Sequence, residues 1–323
     1  MKRIFSGIKP TGLIHLGNYF GAIYNWLGLQ NEYDCLFSIV DLHALTVYQK
    51  PEELRRNILD LAKLYVASGL DPKKNIIFRQ SDVVEHAELA WILDCVTPIA
   101  ELNRMTQFKD KSQQHHDNVN AGLFTYPVLM AGDILLYDAT TVPVGEDQLQ
   151  HVELARVIAK KFNNLYGEVF VLPEAKINKI SARLRGLDDP MKKMSKTAPS
   201  EYNYIALTDA PDLIRKKIKK AVTDSGSEIV FQADKPALSN LIAIYSLTTG
   251  LAPKDIEKKF KGKGYGDFKK DLGERVVHFV APIQERIAKL SDANIEALLA
   301  DGAARARALA AKKMTQIKTA IGL

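Results

Sequence analysis

Two lysines three residues apart, Lys193 and Lys196, lie in a polar segment between two prolines. The segment has no apolar period of its own, so we expect it to form a loop. Near the start of the chain, residues 10–18 follow a strand-like run that contains Ile4, Phe5 and Ile8, and they form a tight turn and the beginning of a helix. The N–H groups of such a helix start attract phosphate. Both segments suit the chemistry of a nucleoside triphosphate.

A carboxylate on an apolar helix face is the second chemical feature. Four side chains fall on one face of a helix predicted over residues 123–138: Tyr126, Met130, Asp133 and Tyr137. A carboxylate in such a place is costly unless a donor binds it. The donor could be a core side chain or cap, or a ligand with one polar ring atom and a large apolar surface.

Strand and helix patterns alternate along the first 80 residues, as a βαβαβ unit requires. The predicted elements are strands Ile4–Ile8, Cys35–Val40 and Asn75–Arg79 and helices Leu16–Leu29 and Glu52–Ser68. This order predicts an α/β fold with a doubly wound parallel sheet, whose ligands bind beyond the carboxyl ends of the strands. Residues 85–139 read as a helical insertion, and the alternation resumes at Val142–Val144.

The C-terminal part is predicted to be helical throughout and carries the excess charge. Residues 1–200 hold 23 basic and 23 acidic side chains, whereas residues 201–323 hold 21 and 15, which accounts for the net charge of +6. This asymmetry favours a surface for a polyanion, although solvated helix faces are the alternative. The predicted helices are Asp209–Val222, Pro236–Thr248, Pro253–Phe260, Phe268–Leu290, Asp292–Leu299 and an alanine-rich last helix.

Composition excludes several classes of protein. With 46% hydrophobic and 25% charged residues over 323 positions, the chain is predicted to be globular and large enough for two domains. Its apolar runs are too short to span a membrane, and the early first strand leaves no room for a signal peptide. Cys35 and Cys95 are expected to be buried free thiols in a reducing cytoplasm. Four histidines lack zinc-ligand spacing: His86, His115, His116 and His151.

Three segments resemble the class I aminoacyl-tRNA synthetases. Residues 10–18 resemble the HIGH signature in the form HLGN, and residues 193–197 resemble KMSKS with Thr197 in the last place. Residues 145–148 resemble the GxDQ element of the tryptophanyl and tyrosyl branch. Residues 124–137 and 220–225 resemble bacterial tryptophanyl-tRNA synthetases, and the likeness extends over essentially the whole chain.

The resemblance implies a Rossmann-like catalytic domain over residues 1–200 with a helical insertion at about 85–140, and an all-helical anticodon-binding domain over residues 201–323. It also implies that ATP activates L-tryptophan, with Mg²⁺ accompanying the nucleotide, and that tryptophan then passes to tRNA(Trp). A cytoplasmic homodimer joined through the insertion is expected, with no tightly bound cofactor and no membrane partner.

The resemblance also assigns roles to residues. The catalytic candidates, all on the phosphate side, are Lys193, Lys196, Lys111 and His15. The candidates for binding ATP are Lys9, Pro10, Thr11, Gly17, Asn18, Gly145, Glu146, Asp147, Leu184, Lys193, Met194, Ser195, Lys196 and Thr197. The candidates for binding tryptophan are Asp133, Phe5, His43, Tyr126, Met130, Val142, Val144 and Gln148.

Three other functions are alternatives to this interpretation. A tyrosine-specific synthetase shares the fold and the loop motifs, but Met130 and Asp133 resemble the tryptophan branch. A synthetase-like RNA-binding regulator is disfavoured because both loop lysines are present. A small nucleotidyltransferase that shares only the first motif would leave the basic helical part unexplained.

Overall fold

The computed structural model describes residues 2–106, 119–177, 184–196 and 198–323. The chain divides into two compact units. The sheet unit comprises the described residues of Met1–Gly12, Trp26–Asn178 and Ser291–Leu323, and the helical unit those of Leu13–Asn25 and Lys179–Leu290. Within the described ranges, no helix is long and apolar enough to cross a lipid bilayer.

Five parallel strands form the centre of the sheet unit, in the order β3-β2-β1-β4-β5. The order reverses direction between β1 and β4, and a doubly wound sheet opens its ligand crevice at such a point. The predicted α/β fold with a doubly wound sheet is confirmed, and β5 adds a strand that was not predicted. The strands are β1 (Arg3–Ile8), β2 (Asp34–Ile39), β3 (Ile76–Arg79), β4 (Thr141–Val144) and β5 (Glu174–Ile177).

Helices make up most of the remaining chain. A π-helical turn, Tyr19–Ile23, interrupts the predicted first helix, and the helix that carries Asp133 ends at Leu135. The α-helices are α1 (Leu16–Asn18), α2 (Tyr24–Leu29), α3 (Pro51–Ser68), α4 (Glu85–Val96), α5 (Ile99–Asn103), α6 (Ala121–Leu135), α7 (Leu149–Tyr166), α8 (Pro211–Lys220), α9 (Pro236–Thr249), α10 (Pro253–Lys259), α11 (Tyr265–Ala288) and α12 (Asp292–Ile321).

The two helices predicted after Ser291 are a single helix of 30 residues, α12. The prediction ended the first of these helices at Leu299, close to Gly302. In the structure Gly302 lies against β3, where an added Cβ would stand 1.8 Å from the carbonyl oxygen of Ile77. Glycine therefore serves close packing of the helix on the strand and does not end the helix.

Packing of α12 on β3 also divides the predicted C-terminal domain. Residues 201–290 belong to the helical unit, whereas Ser291–Leu323 belongs to the sheet unit. Side chains on α12 reinforce the packing: the Arg305 guanidinium donates to the carbonyl oxygens of Pro72 and Asn75, at 2.9 and 3.2 Å. The boundary predicted at residue 200 therefore does not coincide with the boundaries of the compact units.

The helical unit has an apolar core of its own, in which α11 packs against α8 and α9. The Lys217 ammonium is buried there and lies 2.6 Å from an Asp209 carboxylate oxygen. The surface positions of α8 hold three exposed lysines, Lys216, Lys219 and Lys220. A basic surface on α8 is therefore formed by these three and not by Lys217.

The two cysteines differ in exposure. Cys35 is buried, and burial, reinforced by the Asp34 charge, raises the pKa of its thiol to about 12. Cys95 is exposed, so the prediction that both thiols are buried is wrong for Cys95. The reason is the register of α4, in which Leu93 and Val96 face the core and Cys95 lies on the outer face.

Candidate functional site

The carboxyl ends of the parallel strands bring several predicted residues to one edge of the sheet. Lys9–Thr11 follows β1, a 3-10 turn over Leu42–Thr46 follows β2, and a second over Gln80–Asp82 follows β3. After β4 the chain turns through Gly145 into a 3-10 turn over Glu146–Gln148. Lys9–Thr11 and Gly145–Gln148 flank the point where the strand order reverses, as nucleotide-binding residues do in doubly wound folds.

Asp133 is the centre of a buried hydrogen-bond network in the sheet unit. It is 1% exposed. The Gln80 amide donates to Oδ1 at 2.6 Å, and His86 Nδ1 lies 2.6 Å from the same oxygen. His43 Nε2 lies 2.8 Å from Oδ2. Burial opposes ionisation, but the charge interactions and hydrogen bonds of His43 and His86 outweigh it and lower the pKa of Asp133 to about 2.

Of these three partners of Asp133, only His43 was a candidate site residue, assigned by the family resemblance to the tryptophan site. Gln80 follows β3 directly, so its position at the carboxyl edge of the sheet was a signal that could have found it. The Gln80 side-chain oxygen Oε1 also accepts from Leu42 N at 3.2 Å, which ties the turn after β2 to the turn after β3. His86 lies in the first turn of α4 and carries no comparable signal in the sequence.

The remaining candidates for binding tryptophan lie around this network or in the adjoining core. The Tyr126 hydroxyl is 3.0 Å from His151 Nε2, and the Tyr126 ring meets His43 edge to face at 6.1 Å. Two candidates, Phe5 and Val142, are core residues. The half-buried candidates are Met130, Val144 and Gln148. The sheet unit therefore brings His43, Tyr126 and Asp133 together, with the apolar candidates packed in or against the core.

In the helical unit, His15 and Asn18 form a reciprocal cap at the start of α1. His15 Nδ1 accepts from Asn18 N at 3.3 Å, and the Asn18 side-chain oxygen accepts from His15 N at 3.4 Å. Burial, reinforced by the charges of Lys193 and Lys196, lowers the pKa of His15 to about 4. The imidazole is therefore neutral at neutral pH. Because Nδ1 accepts, Nε2 carries the proton and is a hydrogen-bond donor.

Gly17 lies directly beside this cap. A Cβ at Gly17 would stand 3.0 Å from two atoms of the His15 ring and 3.6 Å from the Met194 Cβ. The absence of a side chain therefore lets the backbone at the helix start pass close to His15 and to the lysine segment. This is the use of glycine that the first motif predicts.

Hydrogen bonds hold the lysine segment against the chain on both sides of it. Met194 N donates to the Leu184 carbonyl at 2.9 Å, and Ser195 N donates to the buried Asn203 amide oxygen at 2.9 Å. Lys193 is exposed and Lys196 half-buried. The effect of both charges on the pKa of His15 places the two predicted phosphate motifs in one electrostatic environment. Lys111 and Thr197 lie outside the described residues.

No group of three or more histidine, cysteine, aspartate or glutamate side chains within the described ranges has the geometry of a metal site. Each unit thus holds candidate site residues of its own: the sheet unit has an ionised, buried carboxylate among aromatic rings, and the helical unit has a helix start with two lysines.

Known proteins match the chain over its whole length. The family model described as "tRNA synthetases class I (W and Y)" matches residues 1–281. A tryptophan–tRNA ligase from Caldanaerobacter subterraneus is 52% identical over 324 aligned positions, which cover 100% of this chain and 99% of that protein.

Two crystal structures of tryptophanyl-tRNA synthetases share the fold. The Mycoplasma pneumoniae structure has a TM-score of 0.92 at 36% identity, covering 100% of this chain and 98% of that one. The Campylobacter jejuni structure, a complex with ADP and tryptophan, has a TM-score of 0.85 at 39% identity, covering 99% and 100%. The chain therefore belongs to the class I tRNA synthetases of the tryptophan and tyrosine branch and, within them, to the family of the tryptophan–tRNA ligases.

Proposed function

We propose that the chain is a tryptophan–tRNA ligase. It activates L-tryptophan with ATP to tryptophanyl-adenylate and pyrophosphate, and it then transfers tryptophan to tRNA(Trp). The observation that carries this proposal is the buried, ionised Asp133 beside the His43 and Tyr126 rings. A substrate with an apolar ring system and one ring N–H suits such a place. The full-length identity of 52% to a tryptophan–tRNA ligase supports the same assignment.

Activation needs no covalent enzyme intermediate. An oxygen of the substrate carboxylate forms a bond to the α-phosphorus of ATP, and the bond from that phosphorus to the pyrophosphate oxygen breaks. The enzyme's contribution is therefore positioning and stabilisation of the charge that moves to the leaving group. Lys193 and Lys196 supply positive charge, and the neutral His15 supplies an Nε2–H donor. Mg²⁺ enters bound to ATP as part of the substrate.

For ATP we propose the motif residues of each unit. The residues of the sheet unit are Lys9, Pro10, Thr11, Gly145, Glu146 and Asp147. The described residues of the helical unit are Gly17, Asn18, Leu184, Lys193, Met194, Ser195 and Lys196. Lys111 and Thr197 are also proposed to contact ATP, and for these two residues the support is the sequence resemblance alone. Burial lowers the pKa of Lys9, because this side chain is substantially withdrawn from water at the strand end.

Amino-acid-dependent exchange of pyrophosphate into ATP tests the function directly. We expect exchange with tryptophan and none above background with the other nineteen amino acids. Exchange driven by tyrosine would instead show that the chain is a tyrosine-specific enzyme, and no exchange with any amino acid would favour the RNA-binding regulator.

We further propose that the exposed lysines of the helical unit bind tRNA. Two groups are available: Lys216, Lys219 and Lys220 on α8, and Lys258, Lys261 and Lys263 around the end of α10. Replacement of the lysines of a group that contacts tRNA by neutral residues should weaken tRNA charging. It should leave pyrophosphate exchange intact, since exchange needs no tRNA. Each lost phosphate contact should lower the slope of log K against log salt by about 1.

The control for this experiment is a variant of Lys73 and Lys74, which are equally exposed but belong to the sheet unit. Its tRNA affinity and salt slope should match those of the parent protein. Unchanged salt slopes in both variants of the helical unit would contradict the assignment of the tRNA surface.

A homodimer in the cytoplasm completes the proposed function. Large apolar side chains stand exposed on and beside α4 and α5: Trp91 at 70%, Ile99 at 67% and Val84 at 64%. A contiguous exposed apolar patch marks an association surface, and we propose that these three side chains belong to one such patch. Sedimentation equilibrium should give twice the chain mass of 36.0 kDa, and Trp91→Glu should shift the protein toward monomer.

A further inference from the structure

The hydrogen bonds of Asp133 distinguish its two carboxylate oxygens. Oδ1 accepts from Gln80 and from His86, whereas Oδ2 pairs with His43 alone among the described residues. A carboxylate offers about four acceptor positions, two on each oxygen. The two donors on Oδ1 fill that oxygen, so one acceptor position is left, and it is on Oδ2. His43, the partner of Oδ2, also meets the Tyr126 ring.

On the Oδ1 side, the hydrogen-bond network continues from His86 to Tyr137. His86 Nε2 lies 2.8 Å from the Tyr137 hydroxyl, and both side chains are almost completely buried. Since His86 Nδ1 faces a carboxylate oxygen, Nδ1 carries the proton and Nε2 accepts the Tyr137 O–H. Burial raises the pKa of Tyr137 far above its usual range, so the hydroxyl keeps its proton.

Aromatic packing leaves this chain of groups little freedom to rearrange. The Tyr137 ring stacks on Phe5 with centroids 5.7 Å apart, and the His86 ring lies 5.8 Å from Phe78. The polar atoms of His86 and Tyr137 are directed to each other and to Oδ1. His86 and Tyr137 therefore fix the position of Oδ1, and the packed aromatic rings fix the positions of these two side chains.

We propose that Gln80, His86 and Tyr137 are positioning residues for substrate specificity: they occupy Oδ1 and direct the free acceptor position of Oδ2 to the ring N–H of the bound amino acid. This inference rests on the proposed function. It identifies Oδ2 as the atom that accepts a hydrogen bond from the substrate. It also identifies three residues, outside the predicted binding set, that orient this oxygen. A site whose buried acceptor is held in this way rejects an analogue that lacks the donor.

Tyr137→Phe tests the role of this hydrogen-bond network, because it removes one hydroxyl and keeps the ring that packs on Phe5. The measured quantity is kcat/KM in pyrophosphate exchange for tryptophan divided by that for 3-benzothienyl-L-alanine, in which sulfur replaces the ring N–H. We expect this ratio to fall about 3- to 10-fold in Tyr137→Phe, the range of one lost hydrogen bond. Gln80→Met, which removes a direct donor, should lower the ratio at least as much.

Tyr65→Phe is the matched control. Tyr65 is also fully buried in the sheet unit, but its hydroxyl is hydrogen-bonded to backbone atoms of Ile8 and Ser38. This variant should lose thermal stability and keep the parent ratio. A general structural role of Tyr137 would slow both substrates equally and keep the ratio constant, and that result would overturn the proposal.

Two outcomes in the parent protein separate this inference from the proposed function. Strong exchange with tryptophan and equal exchange with the benzothienyl analogue would overturn the role of Oδ2 and leave the ligase assignment in place. Absence of any tryptophan-dependent exchange would overturn the proposed function and, with it, this inference.

Discussion

Lys196→Ala is expected to lower kcat for tryptophan activation on the order of 100-fold, or about 3 kcal/mol of transition-state stabilisation. Negative charge grows on the pyrophosphate oxygens only as the bond to the α-phosphorus breaks. A lysine that meets this charge acts on kcat far more than on the KM for tryptophan. Pyrophosphate exchange measured over a range of tryptophan and of ATP concentrations gives kcat and the two KM values separately.

The loop itself offers the control. Lys192 is exposed, lies four residues before Lys196 and pairs with Asp189 at 3.2 Å. Lys192→Ala should leave kcat within about twofold, as surface substitutions away from a site do. Thr197→Ser keeps the hydroxyl and should be nearly silent. Normal kcat with weakened ATP binding in Lys196→Ala would show that this lysine binds only the ground state.

Asp133→Ala is expected to lower kcat/KM for tryptophan by an amount equivalent to about 2–4 kcal/mol of transition-state stabilisation. It should also reduce the preference for tryptophan over phenylalanine. With phenylalanine the carboxylate finds no donor on the substrate, whereas the indole N–H satisfies it. The alanine variant should also unfold more readily, because Gln80, His43 and His86 each lose a buried acceptor.

Asp34→Asn provides a comparison at the opposite edge of the sheet. Asp34 is the first residue of β2 and pairs with Arg3 at 2.8 Å. Its replacement should leave the preference for tryptophan unchanged. If Asp133→Ala slowed tryptophan and phenylalanine equally, Asp133 would only support α6, and the assignment of specificity to it would fail.

Local patterns were sufficient for much of the fold. Apolar runs identified β1 to β4 within about one residue, because buried parallel strands exclude polar side chains from both faces. β5 was missed since its sequence, Glu174-Ala175-Lys176-Ile177, belongs to an edge strand with mostly exposed positions. The local sequence does not show why Gly302 stands within α12, because its close packing involves Ile77, a residue 225 positions earlier in the chain.

By itself, the sequence determined the order of the elements and the places where chemistry could occur. Parallel strands end at a common edge, so strand order alone is enough to assign the residues after β1, β2 and β4 to one region. Only the tertiary structure decided which partners complete Asp133. Gln80 and His86 stand 53 and 47 residues away from it in the chain. Hydrogen bonds between such distant side chains depend on the packing of α4 against α6 and on the position of the turn after β3, which no local pattern records.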